Sequence, residues 1–365
     1  MTEKDDKLLL VTLNAIPGLG PRKIQKLAMR FKNYKTFLEA KREDFLEING
    51  VGEIICEKIL EYRSKFDPYK EIKKANNLNI KVITLKDDKY PFLLKEIYDP
   101  PPVLYFKGTT PLSPHSIAIV GSRKASAYGK NVAAKFAREL AAVDINIVSG
   151  MARGIDSCAH KGALEANGFT IAVLGCGIDI VYPPENTGLM KDIVESGCVI
   201  SSFPLGTPPQ GANFPARNRI ISGLSLGTLV VEAAKKSGSL ITADFSLEQG
   251  REVFAVPGSI FNPYSSGTHK LIKQGAKLVE NVEDILDELY LENLPESIAS
   301  SGKANKPDLT CEEKGILDII DYQPTYIEEI ISLSHKTPGS INILLTHLEL
   351  KGYISALGGG YFAKI

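Results

Sequence analysis

The chain has 365 residues, 44% of them hydrophobic and 24% charged, which is ordinary globular usage and excludes a disordered or fibrous protein. That length predicts two or three domains. Lys and Arg balance Asp and Glu at 43 each, so charge is informative only region by region.

The five cysteines, Cys56, Cys158, Cys176, Cys198 and Cys311, never stand at CxxC spacing, so neither a zinc site nor a redox pair is expected. An odd count in a long chain fits reduced thiols in the cytosol. The apolar run at 8–13 is too short for the core of a signal peptide, and no stretch approaches the ~20 apolar residues of a membrane helix. The expectation is a cytoplasmic protein with no membrane association, metal or cofactor.

Residues 1–67 read as a helical domain. Two similar phrases lie in it, Ile16-Pro17-Gly18-Leu19-Gly20 and Ile48-Asn49-Gly50-Val51-Gly52, each followed by helix-forming sequence. Glycines there permit a tight turn and leave amide N–H groups bare at a helix start. The pair looks like a tandem helix-hairpin-helix, or SAM-like, module of the kind that grips DNA phosphates. With 13 basic and 11 acidic residues in 1–67, its electrostatic footprint is weak.

Residues 68–290 read as one α/β domain, with 68–108 as a connecting region packed onto it. Short β-rich runs at 117–120, 145–149, 170–174, 199–201, 228–232 and 252–256 alternate with helical stretches. Apolar strands in such alternation predict a doubly wound, largely parallel sheet, an extended Rossmann-like fold. Residues 291–308 read as a linker, rich in Ser, Pro, Asn and Gly. Residues 309–365 read as three helices and a two-stranded wing, a winged helix. They hold four Lys, no Arg and seven Asp and Glu, a poor endowment for reading DNA.

Three predicted strand ends carry glycine with polar or basic residues: Gly121-Ser122-Arg123, Gly150-Met151-Ala152-Arg153-Gly154 and Gly175-Cys176-Gly177. Ligands of open α/β sheets sit beyond the C-terminal strand ends, where glycine lets backbone approach and helix starts offer N–H groups. A phosphate-bearing ligand is the inference. No Walker sequence is present, so ATP hydrolysis is not expected. A further cluster, Phe214-Pro215-Ala216-Arg217-Asn218-Arg219, joins an aromatic that can stack a base to two guanidiniums that can grip phosphate. Ser239 offers a hydroxyl, although a helix cap is the better use of Ser237-Gly238-Ser239. Across 103–277 there are 17 Lys and Arg against 12 Asp and Glu, so the positive balance sits on the central domain.

The segments IAIVGSRKASAYG (117–129), SGMARGIDSCAH (149–160), IAVLGCGIDIVYPPEN (171–186), FPARNRIISGLS (214–225), SGSLITA (237–243) and REVFAVPG (251–258) together resemble the DNA-processing protein A (DprA/Smf) family. The resemblance implies an extended Rossmann-like domain that binds single-stranded DNA, protects incoming strands and helps load RecA recombinase during natural transformation. It also implies a homodimer, for which the apolar stretch near 271–279 is a candidate surface. The family's DNA pocket maps onto Ser122, Arg123, Arg217, Asn218 and Arg219, and the loop reading adds Gly121, Gly150, Arg153 and Ser239 as expected DNA-binding residues. Many members carry a basic residue after Tyr-Pro where this chain has Pro184.

The enzyme alternative is a Rossmann-type nucleotide phosphoribohydrolase. The run Gly223-Leu224-Ser225-Leu226-Gly227-Thr228 with Glu232 looks like a degraded form of that family's PGGxGTxxE loop, lacking the PGG. Glu232 reads instead as an ion-pair partner for Arg217 or Arg219. Asp156 and His160, one helical turn apart, read as braces for their loop. No catalytic residue is expected.

Overall fold

The computed structural model describes residues 3–110, 113–289, 291, 309–322, 324–357 and 359–364. Its centre is a nine-stranded sheet. The strands are β1 (Lys81–Thr84), β2 (Val103–Gly108), β3 (Ser116–Val120), β4 (Asn146–Ser149), β5 (Thr170–Leu174), β6 (Cys198–Ser201), β7 (Gly227–Val230), β8 (Glu252–Ala255) and β9 (Lys277–Leu278). They lie in the order β1-β2-β6-β5-β4-β3-β7-β8-β9. The strands from β6 to β9 are parallel, and β2 pairs antiparallel with both β1 and β6.

The chain enters the parallel part at β3, steps outward to β6, then returns to β7 on the other side of β3. This reversal is the topological switch point of a doubly wound sheet. Every residue of β3 to β7 is buried, as expected of strands covered on both faces. The expected strands appear within one or two residues of their predicted bounds. The connecting region 68–108 instead contributes helix Pro68–Asn77 and two sheet strands, β1 and β2.

Helix Glu3–Ala15 is the hub of the N-terminal part. All six residues of the run 8–13 are buried, so this helix is enclosed rather than amphipathic. Gly18 and Gly50 stand at φ of +80° and +93°, the left-handed turn that each hairpin requires. Each is followed by a helix, Pro21–Phe31 and Glu53–Lys65, whose N-terminal Gly20 or Gly52 supplies no side-chain cap. The hairpins interlock: Lys26 Nζ donates to the Asn49 carbonyl at 3.2 Å.

This helical part shares one core with the sheet. A single apolar cluster runs from Leu9, Leu13 and Ile24 to Tyr105, Ala172 and Leu174. Polar contacts follow the same seam. Glu71 accepts from Tyr105 Oη at 2.9 Å and from the Leu205 N–H at 2.8 Å. Asn14 Nδ2 donates to the Ser202 carbonyl at 2.9 Å, and Lys74 pairs with Asp179 at 3.1 Å.

The expected linker 291–308 lies, apart from Leu291, outside the described residues. Beyond it, helices Cys311–Ile319, Ile327–Ser334 and Pro338–Leu350 pack with a three-stranded antiparallel sheet of β10 (Thr325–Tyr326), β11 (Ile354–Ala356) and β12 (Tyr361–Lys364). This is a winged helix with its own core around Ile316, Ile330, Leu345 and Ile354. Among the described residues, no helix is long and apolar enough to cross a membrane.

Removal of 1–67 therefore strips apolar cover from the sheet, whereas removal of 309–365 does not. In calorimetry, the first truncation should lose cooperative unfolding, and the second should leave the main transition in place. Glu71→Ala should cost about 2 kcal/mol, because it orphans a buried tyrosine hydroxyl and a backbone N–H.

Candidate nucleic-acid interface

A pocket opens at the C-terminal ends of β3, β4 and β5. It is lined by Arg123, Gly150, Ala152, Arg153, Leu174, Gly175, Cys176, Tyr182, Pro183, Phe214 and Arg217. Each strand end supplies one of the glycine loops anticipated from sequence, and the helix Asn213–Gly223 brings Phe214 and Arg217 across from the far side of the chain.

Arg217 is the central feature. Its side chain is 4% exposed, and Nη1 donates to the Val173 carbonyl at 3.2 Å. Nε has no hydrogen-bond partner, and among the described residues no carboxylate lies within ion-pair distance. Burial pulls its pKa down, and Asp156 opposes that shift. The guanidinium passes so close to Gly150 that a Cβ there would fall on Nη1. Glycine at 150 thus makes the space in which Arg217 lies.

The loop after β4 is braced from below. Asp156 Oδ2 accepts from the Gly150 and Ala152 N–H groups at 3.2 and 3.4 Å. Burial raises the Asp156 pKa although Arg217 and these two bonds favour the charged form. Met151 holds the left-handed conformation at φ +55°, and Asn186 Nδ2 donates to its carbonyl at 2.8 Å. His160 turns away, with Nδ1 2.6 Å from Thr170 Oγ1, and burial pushes its pKa down to about 3. Asp156 braces the loop as anticipated; His160 belongs to the sheet beneath.

Arg123 is exposed, makes no ion pair among the described residues, and stands over the Phe214 ring at 5.1 Å from its centroid. Arg217 lies 5.9 Å from the same centroid, on a ring that also packs against Tyr182 at 5.7 Å. Arg153 pairs with Glu185 on the surface, with both side chains about half exposed, a contact worth little and easily exchanged.

The anticipated site residues divide in three. Arg123, Gly150, Arg153 and Arg217 meet at the pocket. Gly121 and Ser122 support it: the Ser122 N–H donates to the Glu232 carbonyl at 2.7 Å, and Ser122 Oγ accepts from the Lys124 N–H at 3.1 Å. Asn218, Arg219 and Ser239 lie elsewhere. Asn218 Nδ2 donates to the Gly238 carbonyl at 3.2 Å, and Ser239 Oγ meets the N-cap residue Ser237 at 2.7 Å. Arg219 Nη1 bonds both the carbonyl and the carboxylate of Asp99, at 2.5 and 3.1 Å.

Glu232 pairs with neither arginine. It is 2% exposed and accepts from the Ser126 N–H at 2.9 Å, Ser126 Oγ at 2.6 Å and Asn262 Nδ2 at 3.1 Å. The sequence did not single out Tyr182 or Asn186. Their signal was the Tyr-Pro-Pro-Glu-Asn run closing the third glycine loop, where an aromatic and an amide flank two prolines.

A doubly wound domain with a cationic, aromatic-walled pocket at its strand ends, flanked by helix-hairpin-helix and winged-helix units, defines a nucleic-acid-processing class of protein. The model of the DNA recombination-mediator protein A family matches residues 81–290, its winged-helix model matches 301–360, and a helix-hairpin-helix model matches 9–67. The chain belongs to the DNA-processing protein A family. Protein Smf of Synechocystis is 33% identical over 93% of this chain and 94% of its own. The structure of DNA processing protein A from Streptococcus pneumoniae is 38% identical with a TM-score of 0.68, over 79% of this chain and 99% of that one. The structure describing single-stranded DNA binding by the Helicobacter pylori protein is 31% identical with a TM-score of 0.53, over 58% of this chain and 97% of that one.

The two arginines of Arg217-Asn218-Arg219 should separate in a stability test. Arg217→Met should change unfolding free energy by less than about 1 kcal/mol, because it removes a buried charge that has no ion-pair partner. Arg219→Met should cost about 2 kcal/mol or more, because it leaves Asp99 without its partner. Urea titration of both variants measures the difference.

Proposed function

We propose that this protein binds single-stranded DNA in the pocket above β3, β4 and β5, with Arg123 and Arg217 on phosphates and Phe214 against a base. The observation that carries this reading is Arg217 itself. A buried guanidinium with one carbonyl contact and no carboxylate partner is costly unless an anion completes it. Its position beside an aromatic wall suits a nucleotide better than a bare ion. Base faces are free in a single strand and stacked in a duplex, so the same wall favours single strands. The relative from Helicobacter pylori, described as binding single-stranded DNA, supports the reading.

Protection of incoming strands, delivery to RecA and a homodimeric assembly complete the proposal, and these rest on family membership. In the stretch 271–279, Leu271 and Val279 are core, and Leu278 is 41% exposed. The phosphoribohydrolase alternative needs Glu232 free to act on a ribose, and its carboxylate is buried with three donors.

Fluorescence anisotropy with labelled oligonucleotides tests the reading. Single strands should bind more tightly than duplex, with log affinity falling against log salt at a slope of about −2 to −3.5 for ~3–5 phosphate contacts. Arg123→Ala should weaken binding about tenfold or more with unchanged melting, and Arg123→Lys should recover part of it, since a point charge lacks the fork. Equal affinity for duplex, or an Arg123→Ala protein that binds normally, would remove the pocket as the site. Free base released from nucleoside monophosphates would favour the hydrolase.

A further inference from the structure

Beyond β8, residues 257–265 leave the sheet as a loop whose base is tied at four points. Tyr128 Oη donates to the Pro257 carbonyl at 3.4 Å, and His269 Nε2 lies 3.0 Å from the Gly258 carbonyl. Asn262 Nδ2 donates to Glu232 Oε1 at 3.1 Å, and the Ala233 N–H donates to the Tyr264 carbonyl at 2.6 Å. The tip carries Ile260 and Phe261, which are 82% and 90% exposed. No other large apolar side chain described in the central domain is so exposed. Two such side chains held in water on a braced loop mark a contact surface.

Free positive charge surrounds that loop's anchor. Lys124 in the Arg123 loop, and Lys235 and Lys236 just past Glu232, are exposed and make no ion pair among the described residues. Glu232 is the joint. Its carboxylate accepts both from Ser126, at the end of the Arg123 loop, and from Asn262, next to Phe261. The Phe261 loop and the Arg123 loop are therefore neighbours across the switch point, at the same C-terminal edge of the sheet.

We propose that the 257–262 loop is a second platform for the strand held in the pocket: Phe261 stacks a base beyond the one at Phe214, and Lys124, Lys235 and Lys236 meet phosphates between them. This rests on the single-strand reading of the pocket. A polyanion with exposed base faces satisfies the aromatic and the lysines together, whereas an apolar protein patch would leave the lysines unmatched.

The chain contains no tryptophan, so Phe261→Trp in the full-length protein gives a lone indole whose emission reports stacking. Oligothymidylates of about 4 and about 20 nucleotides separate the pocket from its extension. The long strand should quench the indole and the short one should not. Phe261→Ala should bind the long strand about tenfold more weakly and the short one as wild type, with Phe261→Tyr restoring the difference. Combined Gln substitution of the three lysines should reduce the salt slope for the long strand by about 2. Unquenched emission with the long strand, or equal loss at both lengths, overturns the platform. So does a change of oligomeric state in Phe261→Ala at unchanged affinity, which would assign the tip to a second copy. Arg123→Ala is the independent check on the pocket: it should weaken both lengths, and normal short-strand binding by that variant sinks the pocket reading while the indole signal still judges the platform.

Discussion

A guanidinium occupies the place where a side chain at position 150 would stand. This one steric exchange organises the functional end of the sheet. Arg217 reaches the pocket wall only because Gly150 has no Cβ, and Gly150 is held there by the Asp156 carboxylate on its N–H. The loop that carries Gly150 also places Met151 in a left-handed conformation, which Asn186 holds through the Met151 carbonyl. Asn186 in turn belongs to the segment that presents Tyr182 beside Phe214. The aromatic wall, the buried cation and the loop backbone are thus fixed by the same few contacts. Pre-organisation of this kind lowers the ordering cost of binding.

Glu232 does for the other side of β3 what Asp156 does for β4. Its backbone carbonyl takes the Ser122 N–H, and its carboxylate takes Ser126 and Asn262. The loop bearing Arg123 is therefore pinned at both ends, while the Arg123 side chain stands over the Phe214 ring and makes no ion pair among the described residues. Fixed backbone with a free cationic tip suits a ligand that varies in sequence and keeps a constant phosphate charge.

Much of this was legible in the sequence. The six strand runs and three glycine loops carried their positions in apolar periodicity and in Gly placement. Arg123, Gly150 and Arg153 followed from glycine and charge at predicted strand ends, and Arg217 from its place in the Phe214–Arg219 cluster. What was not legible has a physical reason. The strands β1 and β2 stand in a proline-containing segment outside the strand–helix alternation, and their place in the sheet depends on antiparallel pairing of β1 with β2 and of β2 with the distant β6. The core that helix Glu3–Ala15 shares with the sheet involves contacts across more than a hundred residues, which no local pattern records. Arg217 and Arg219 sit two apart on a helix, about 200° around its axis, so one enters the pocket while the other meets Asp99 on the opposite side. Type and proximity in sequence made them look equivalent; helical geometry separates them.

The net positive balance of the central domain is distributed by pairing. Arg138 is matched to Glu165, Arg153 to Glu185 and Arg219 to Asp99, while Arg251 donates to the Leu93 carbonyl. Arg123 and Arg217 remain without a carboxylate among the described residues, and both lie within 6.0 Å of one phenyl ring. In the winged helix the lysines Lys336 and Lys351 are committed to Glu312 and Glu313. An exposed pair is worth little and a phosphate can exchange it, whereas a cation without a carboxylate is available with no exchange at all. Uncommitted charge, rather than total charge, is therefore the better guide to where the proposed strand contact lies. Lysines such as Lys130, Lys135 and Lys161 are also exposed without an ion pair among the described residues, but they stand singly on helices, whereas Arg123 and Arg217 share one aromatic ring at the C-terminal edge of the parallel sheet, above strands that are buried throughout.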